Sequence, residues 1–272
     1  MMRYLRNPAI QSRIVKDPIV LMLFVFWVAC LAFMAYMKIS PASAYKAVSE
    51  IPSISRKWEE GVIRVGYGTA EFDTKDLTQA IASLRPNEKI MVGDGIFTVT
   101  NTHETSSPMQ DVIIEGTGNT VLSFEGEVQA YNLSLTNVVI DAQGRNTALE
   151  VIGKSVTLKN VTVRSASNTG LLVRDDAQLS AEDITFSNVG QTCFKTSGTV
   201  TATFTTSIFT GCHTAIELGT KARLLLDHAN FSNADYGFYM MGTVSDFPIC
   251  RHCTFDKVTQ RVNSTGKVLF EE

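Results

Sequence analysis

The densest group of chemically capable side chains is the run Arg174-Asp175-Asp176, with Lys195 on the next repeat of the chain. Paired carboxylates can act as acid–base groups or as Ca²⁺ ligands, and Arg174 or Lys195 would neutralise an acidic sugar. A solvated Asp175-Asp176 turn and a cross-strand pair between Lys195 and Glu217, worth roughly a few tenths of a kcal/mol, explain the same residues. We prefer this second interpretation, so these four are candidates only. No catalytic residue, metal or cofactor is predicted, and Ca²⁺ bound by the two carboxylates is the alternative.

A second group of side chains is apolar and belongs to the C-terminal repeats. Strand alternation predicts that Leu225, Tyr239 and Met241 point outward, with Tyr236 in a turn. Apolar groups gathered on a surface mark contact sites more often than they arise by accident. We therefore predict that these four residues bind sugar rings or a protein partner. Because the end of a stacked coil leaves open strand edges, we also expect a protein partner or self-association there.

The cysteine and histidine residues are predicted to be structural. Cys250-Arg-His-Cys253 allows a disulfide, a redox pair or half of a metal site. Zinc needs a second pair of ligands at suitable spacing, and an extended strand separates residues i and i+3 by about 10 Å, too far for a disulfide unless a turn lies between them. Buried free cysteines are preferred there. Cys193 is predicted to be a small corner residue, and His213 to be one member of a polar turn column.

These side chains sit on a sequence repeat of 22 to 24 residues that runs from Leu133 to the C-terminus. Three apolar columns follow this period: Ile140, Val163, Phe186, Phe209, Phe231 and Phe255; Leu149, Leu171, Phe194, Ile216 and Phe238; and Leu135, Leu158, Ala181, Phe204, Leu226 and Cys250. A polar column keeps the same period: Asn146, Asn168, Gln191, His213 and Asp235. Columns in phase indicate a coil whose successive turns stack on one another.

Each repeat holds three short runs that alternate apolar and polar residues, as in Leu149-Glu-Val151, separated by Gly, Asn, Asp and Ser. This is the pattern of strands with one buried face, joined by turns. A leucine-rich repeat has a similar length, but its second half is helical or a loop, whereas here that half also alternates. A left-handed hexapeptide coil needs shorter turns of about 18 residues. A parallel β-helix is therefore predicted.

The region before the repeats resembles a known family. Thr74 is predicted to cap an amphipathic helix with Leu77, Ile81 and Leu84 on one face, followed by short strands at 90–92 and 96–99. With the repeats, this is similar to the right-handed β-helices of the pectate-lyase-like superfamily, over roughly residues 62–270. The resemblance implies an all-β, single-stranded right-handed parallel β-helix of about seven rungs with an N-terminal amphipathic capping helix. The superfamily's polygalacturonase and alginate-epimerase motifs are missing, so the resemblance carries little about function.

A membrane anchor is predicted near the N-terminus. Residues 19–37 contain no charged side chain, and this length spans the hydrocarbon core of a bilayer. Basic residues precede the run, which predicts a cytoplasmic N-terminus. The predicted organisation is a cytoplasmic segment at 1–17, a transmembrane helix at 18–37, a linker at 38–61 and the β-helix at 62–272. Ala42-Ser-Ala44 suits signal-peptide cleavage as the alternative, but the run is long for a secretory signal.

Composition and location narrow the function classes. A net charge of −3 and a pI of about 5.9 argue against a nucleic-acid partner. A glycan at the Asn160-Val-Thr sequon would be awkward, which favours the bacterial inner membrane with a periplasmic domain. We predict a non-enzymatic binding or scaffold subunit of an envelope or polysaccharide-assembly complex. A lyase or epimerase acting on an acidic polysaccharide is the first alternative, and a structural or adhesin-like surface spacer is the second.

Overall fold

Strands that each pair with their counterpart one turn later make up almost the whole domain. The computed structural model describes residues 61–67, 72–100, 109–242, 246–263 and 266–272, all within one compact unit, Ile54–Glu272. The first elements are β1 (Val62–Val65), α1 (Leu77–Ala82), β2 (Lys89–Val92), β3 (Gly95–Thr100), β4 (Met109–Glu125), β5 (Glu127–Asp141), β6 (Thr147–Ile152), β7 (Ser155–Arg164) and β8 (Thr169–Arg174). The remaining strands are β9 (Gln178–Ser187), β10 (Thr192–Ser197), β11 (Thr201–Thr210), β12 (Thr214–Leu218), β13 (Arg223–Met240), β14 (Ile249–Arg251), β15 (Thr254–Val262) and β16 (Leu269–Glu271).

Every strand pairing in the described residues is parallel, and the coil has about 8 turns rather than the seven predicted. Each strand pairs with its equivalent on the next turn. One series of neighbouring strands is β6–β8–β10–β12, and another is β7–β9–β11–β13. The turns before the regular repeat are less regular than those that follow. There Ile63, Ile90, Ile114 and Leu135 stack at uneven spacing, and β4 shifts register between Glu115 and Thr120. Such irregular turns escape a search for a fixed period.

The three predicted apolar columns are confirmed residue by residue in the strand registers. Phe186, Phe209, Phe231 and Phe255 are successive partners on neighbouring turns. Their rings stack with centroid distances of 5.1, 5.1 and 4.8 Å. The first three side chains are fully buried. Because identical positions lie about 4.8 Å apart along the coil, an aromatic column makes a continuous core that no single turn could bury.

Left-handed backbone conformations recur at one corner of six successive turns, from Asn137 to His252. Six residues share this corner and have φ between 49 and 56°: Asn137, Asn160, Asp183, Thr206, His228 and His252. Side chains at this corner contact one another along the coil, since Asn160 Nδ2 donates a hydrogen bond of 2.8 Å to Asn137 Oδ1. Asn and Asp tolerate this conformation better than most residues because their short polar side chains bond locally. The corner residues therefore form a stacked polar column, and the last two members of this column are histidines.

The predicted capping helix is corrected to a helix of six residues, α1. Its N-cap is Asp76, whose side chain accepts a hydrogen bond from the Gln79 N–H, whereas Thr74 was the predicted cap. Leu77 and Ile81 are buried, as the apolar periodicity predicts. Six residues span only about 9 Å, which is too short to cover the end of the coil.

The predicted anchor and its flanks lie outside the described residues. This holds for the cytoplasmic segment at 1–17, the transmembrane helix at 18–37 and almost all of the linker at 38–61. Across the part of the chain that the structure describes, no helix has the length and apolar character needed to cross a membrane.

Candidate functional site

The predicted charged site begins where β8 ends, at Arg174. Asp175 and Asp176 follow it with φ of 55 and 53°, and both side chains are exposed. The Asp175 N–H donates a hydrogen bond of 3.1 Å to the carbonyl oxygen of Ser197 on the next turn. Both residues therefore form the turn between β8 and β9, which agrees with the interpretation of Asp175-Asp176 as a solvated turn.

The two candidate cations are each paired with a carboxylate. Arg174 Nη1 lies 2.8 Å from Glu150 Oε1 and 3.8 Å from Glu127 Oε1. The hydrogen bond to Glu150 raises the pKa of the Arg174 guanidinium. Lys195 Nζ lies 2.8 Å from Glu217 Oε1, which confirms the predicted cross-strand pair. The positive charge that would attract an acidic sugar is therefore largely neutralised within the protein.

An exposed aromatic surface continues the same strand ladder toward the C-terminus. Lys195, Glu217 and Tyr239 are successive partners in register. The Tyr239 side chain is 40% exposed and Met241, just beyond the end of β13, is 52% exposed. The Tyr236 and Tyr239 rings meet edge to face at 5.8 Å. We call Tyr236, Tyr239 and Met241 the aromatic patch.

His213 supports the aromatic patch from the preceding turn. Its ring packs edge to face against Tyr236 at 5.6 Å, and its Nδ1 lies 2.6 Å from Asp235 Oδ2. The backbone confirms the predicted turn column, because the Asp235 N–H donates to the His213 carbonyl oxygen at 2.9 Å. His213 is therefore a turn residue that also orders the half-buried Tyr236 ring.

Leu225 lies apart from the aromatic patch. It is half-buried and pairs in register with Thr203 and Ile249, in a different ladder from Tyr239. Two left-handed residues, His228 and Asn233, lie between Leu225 and Tyr239, and β13 passes from the β11 ladder to the β12 ladder at Asn233. The structure therefore groups three of the four predicted binding residues and leaves Leu225 on another side of the turn.

Sequence reasoning missed a cluster formed by Asp227, His228 and His252. Both histidine Nδ1 atoms lie 3.0 Å from Asp227 Oδ1, and the two rings stack at 4.5 Å. The hydrogen bond with His252, and then the two imidazole charges, lower the pKa of the Asp227 carboxyl, although partial burial raises it. A signal existed in the sequence, since each histidine precedes its column phenylalanine, Phe231 or Phe255, by three residues.

The predictions for the cysteines are corrected by two disulfides. Cys193 is bonded to Cys212, with a Cα–Cα distance of 5.9 Å, and Cys250 to Cys253, with 5.8 Å. The second bridge is possible because His252 adopts φ of 49° and supplies the turn that an extended strand lacks. Cys193 does fill a fully buried corner, but as half of a bridge and not as a free thiol.

The C-terminal turns expose apolar side chains beside the last strands. Leu269 and Phe270 on β16 are 41% and 46% exposed, and Phe247 is 48% exposed. The Phe270 ring packs against Phe255 at 5.7 Å, so this exposed surface continues into the core column. Within the described part of the chain, β16 pairs only with β14. This is the surface for which a partner or self-association is predicted.

Comparisons with known proteins support the fold and leave the function open. A family model described as a right-handed beta helix region matches residues 147–267. No curated protein matches the chain, and no solved structure matches it. Over residues 147–267, which carry the regular ladders and the aromatic patch, the chain is therefore similar to right-handed β-helix regions.

Proposed function

We propose that the protein is a membrane-tethered β-helix of the pectate-lyase-like type whose periplasmic domain binds polysaccharide as a non-enzymatic subunit of an envelope complex. The aromatic patch carries the proposal. It combines an exposed Tyr239 ring, a second tyrosine set edge to face against it and the exposed Met241. Contiguous exposed apolar surface of this kind marks a binding site.

The polar groups beside the aromatic patch suit a sugar ligand. A tyrosine offers an apolar ring and a polar tip, which matches the apolar face and hydroxyl rim of a sugar ring. Glu217 is the register partner of Tyr239, and the Asp235 side chain precedes Tyr236. Both carboxylates can accept hydrogen bonds from hydroxyl groups. A chain lying along the ladder would meet the aromatic rings and these acceptors in succession.

The charged residues favour binding over catalysis. A lyase or epimerase acting on an acidic polysaccharide needs a cation to neutralise the uronate and a group to move its proton. Arg174 and Lys195 already contact Glu150 and Glu217 at 2.8 Å. Asp175 is an exposed residue in the turn after β8, with φ of 55°. The non-enzymatic function therefore has the stronger support.

The disulfides and the N-terminal run support the proposed location. Structural disulfides persist in oxidising compartments such as the periplasm, and two join residues of this domain. The uncharged run at 19–37, preceded by basic residues, has the length and flanking charge of an anchor that leaves its C-terminal domain outside the cytoplasm.

The test is affinity electrophoresis of the full chain, in mild detergent, through gels that contain neutral or acidic polysaccharides. We expect at least one polysaccharide to retard the wild-type protein. The double variant Tyr239→Ala, Met241→Ala removes the ring and the thioether, and it should migrate as in a gel without polysaccharide. Tyr131→Ala is the matched control, because Tyr131 is 47% exposed and lies outside the aromatic patch.

Two results would contradict the proposal. One is unchanged retardation of the double variant. The other is no retardation of the wild-type chain by any polysaccharide of the source envelope. The enzymatic alternative would gain support if the retarding polysaccharide were cleaved or epimerised and the double variant Asp175→Ala, Asp176→Ala abolished that reaction.

A further inference from the structure

Three side chains with metal-binding atoms lie close together on two consecutive turns of the coil, in β13 and just after β14. We infer that Asp227, His228 and His252 bind a divalent transition-metal ion, of the class of Zn²⁺ or Co²⁺, that bridges two consecutive turns of the coil. Asp227 and His228 belong to one turn and His252 to the next. This site lies in a different ladder from the aromatic patch and does not depend on polysaccharide binding.

The distances suit one ion shared by three ligands. Both histidine Nδ1 atoms lie 3.0 Å from Asp227 Oδ1, and one ligand atom from each residue lies within 4.8 Å of the others. Ligands about 2.0–2.2 Å from a tetrahedral ion are themselves roughly 3.3–3.5 Å apart. Small rotations of exposed side chains are therefore enough to close the set around an ion.

The backbone holds the three residues in place. Asp227 is fixed in a parallel ladder between Thr205 and Arg251. His228 and His252 share the left-handed corner, with φ of 55 and 49°, so their rings leave the coil in the same direction. The rings stack at 4.5 Å with 24° between their planes. No backbone movement is needed to present both imidazoles to the same carboxylate.

The surrounding charges are compatible with a cation. Arg251 is the register partner of Asp227, and its charge would repel a metal ion at short range. Its Nε lies 2.6 Å from Glu271 Oε2, so that charge is compensated. The backbone N–H of His252 donates a hydrogen bond of 3.0 Å to the backbone carbonyl oxygen of Glu271, which keeps Glu271 beside the cluster.

The donor set selects the class of metal. Imidazole nitrogen suits Zn²⁺, Co²⁺, Ni²⁺ and Cu²⁺, whereas Ca²⁺ takes six to eight oxygen ligands. Three protein ligands leave at least one coordination position open. The His228 and His252 side chains are 61% and 50% exposed, so water or a group from outside can occupy that position.

The competing account is a hydrogen-bonded stack in which two imidazoles share the Asp227 carboxylate without any metal. Titration with Zn²⁺ and Co²⁺ separates the two accounts. The protein is the full chain in detergent, purified without a polyhistidine tag and freed of metal with a chelator. We expect one Zn²⁺ per chain by calorimetry, visible absorption bands with Co²⁺, and a metal-dependent rise of the melting temperature.

The variants are His228→Asn and His252→Asn, because asparagine already occupies this corner at Asn137 and Asn160 and tolerates its backbone. Each should weaken Zn²⁺ binding by about 10-fold or more, since even the loss of an outer-shell partner costs about 10- to 100-fold. Asp227→Asn should do the same. His213→Asn is the matched control, because His213 pairs with Asp235 at 2.6 Å and, among the described residues, no second histidine joins this pair.

The inference is overturned if the wild-type chain binds no Zn²⁺. It is also overturned if His228→Asn and His252→Asn bind Zn²⁺ as tightly as the wild type while remaining folded by circular dichroism. Equal loss of binding in His213→Asn would show generic surface coordination, and this too would overturn the site.

Discussion

Lys195 and Glu217 are register partners on β10 and β12, and their side chains meet at 2.8 Å between Nζ and Oε1. Thr192 Oγ1 donates a hydrogen bond of 3.1 Å to the other oxygen of the same carboxylate. The Glu217 carboxylate is thus held on both oxygens, one turn away from Tyr239. The ladder therefore places a hydrogen-bond acceptor in a fixed orientation, the Glu217 carboxylate, beside the aromatic patch. The charge of Lys195 is already paired with this carboxylate.

The Lys195–Glu217 pair should contribute little to stability. Lys195 is 34% exposed and Glu217 is 15% exposed, so water screens the attraction. A double-mutant cycle with Lys195→Met and Glu217→Gln, followed by urea unfolding, should give a coupling energy of about 0.2–1 kcal/mol. A coupling energy of several kcal/mol would contradict this and would mark the pair as part of a buried network.

Removal of one ring from the phenylalanine column should destabilise the coil strongly. Phe209 is fully buried and stacks on both Phe186 and Phe231 at 5.1 Å. We expect Phe209→Ala to lower the free energy of unfolding by about 3–5 kcal/mol, because it removes apolar contacts and leaves a cavity. Ile208→Ala on the same strand is the control, since Ile208 is 42% exposed and should change stability by only about 0.5 kcal/mol. Equal effects would refute the column as the core.

The two disulfides should differ in their contribution to stability. Cys193 and Cys212 are 19 residues apart, whereas Cys250 and Cys253 are three apart. By loop-closure entropy, the first bridge should stabilise the fold by about 3 kcal/mol and the second by about 2 kcal/mol. Urea unfolding of the double variants Cys193→Ala, Cys212→Ala and Cys250→Ala, Cys253→Ala tests the order. Mass spectrometry of alkylated protein should first show that both bridges form.

Stability should fall at acid pH in part through Asp141. Burial raises the pKa of the Asp141 carboxyl, but the Gln143 N–H bond at 2.8 Å and the Arg164 guanidinium at 2.9 Å together lower it below its usual value. A lowered folded-state pKa contributes stability above the unfolded value of about 3.9, and this stability is lost as the pH falls through the folded value. Asp141→Asn should therefore be less stable than wild type at pH 7, and the difference should shrink below about pH 4. A difference that is constant with pH would refute the linkage.

Most of the regular coil is predictable from the sequence because the period of the columns is the register of the strands. Val163, Phe186 and Phe209 are spaced by one repeat, and each is the ladder partner of the next. The turn column is predictable for the same reason, since Asn168 N–H donates to the Asn146 carbonyl oxygen at 3.1 Å. The first turns are less predictable because Ile63, Ile90 and Ile114 stack without a constant spacing.

The candidate sites depended more on local backbone geometry. Strand alternation correctly predicts that Tyr239 and Met241 are exposed, but it also assigns Leu225 to the same surface. Two corners between Leu225 and Tyr239, at His228 and Asn233, turn the strand into another ladder, and alternation within a strand does not predict such corners. The Cys250–Cys253 bridge depends on a corner of the same kind, because φ at His252 is positive.

The parallel coil, its inward columns and the pairing of Lys195 with Glu217 follow from the amino-acid sequence, because these are contacts between equivalent positions one period apart. Contacts between non-equivalent positions do not follow from the sequence and are seen only in the folded structure. Cys193 meets Cys212 across less than a full repeat, and Asp227 meets the imidazole of His252 diagonally. Such contacts depend on the angle of each corner and the direction of each side chain, and neither quantity repeats with the column period.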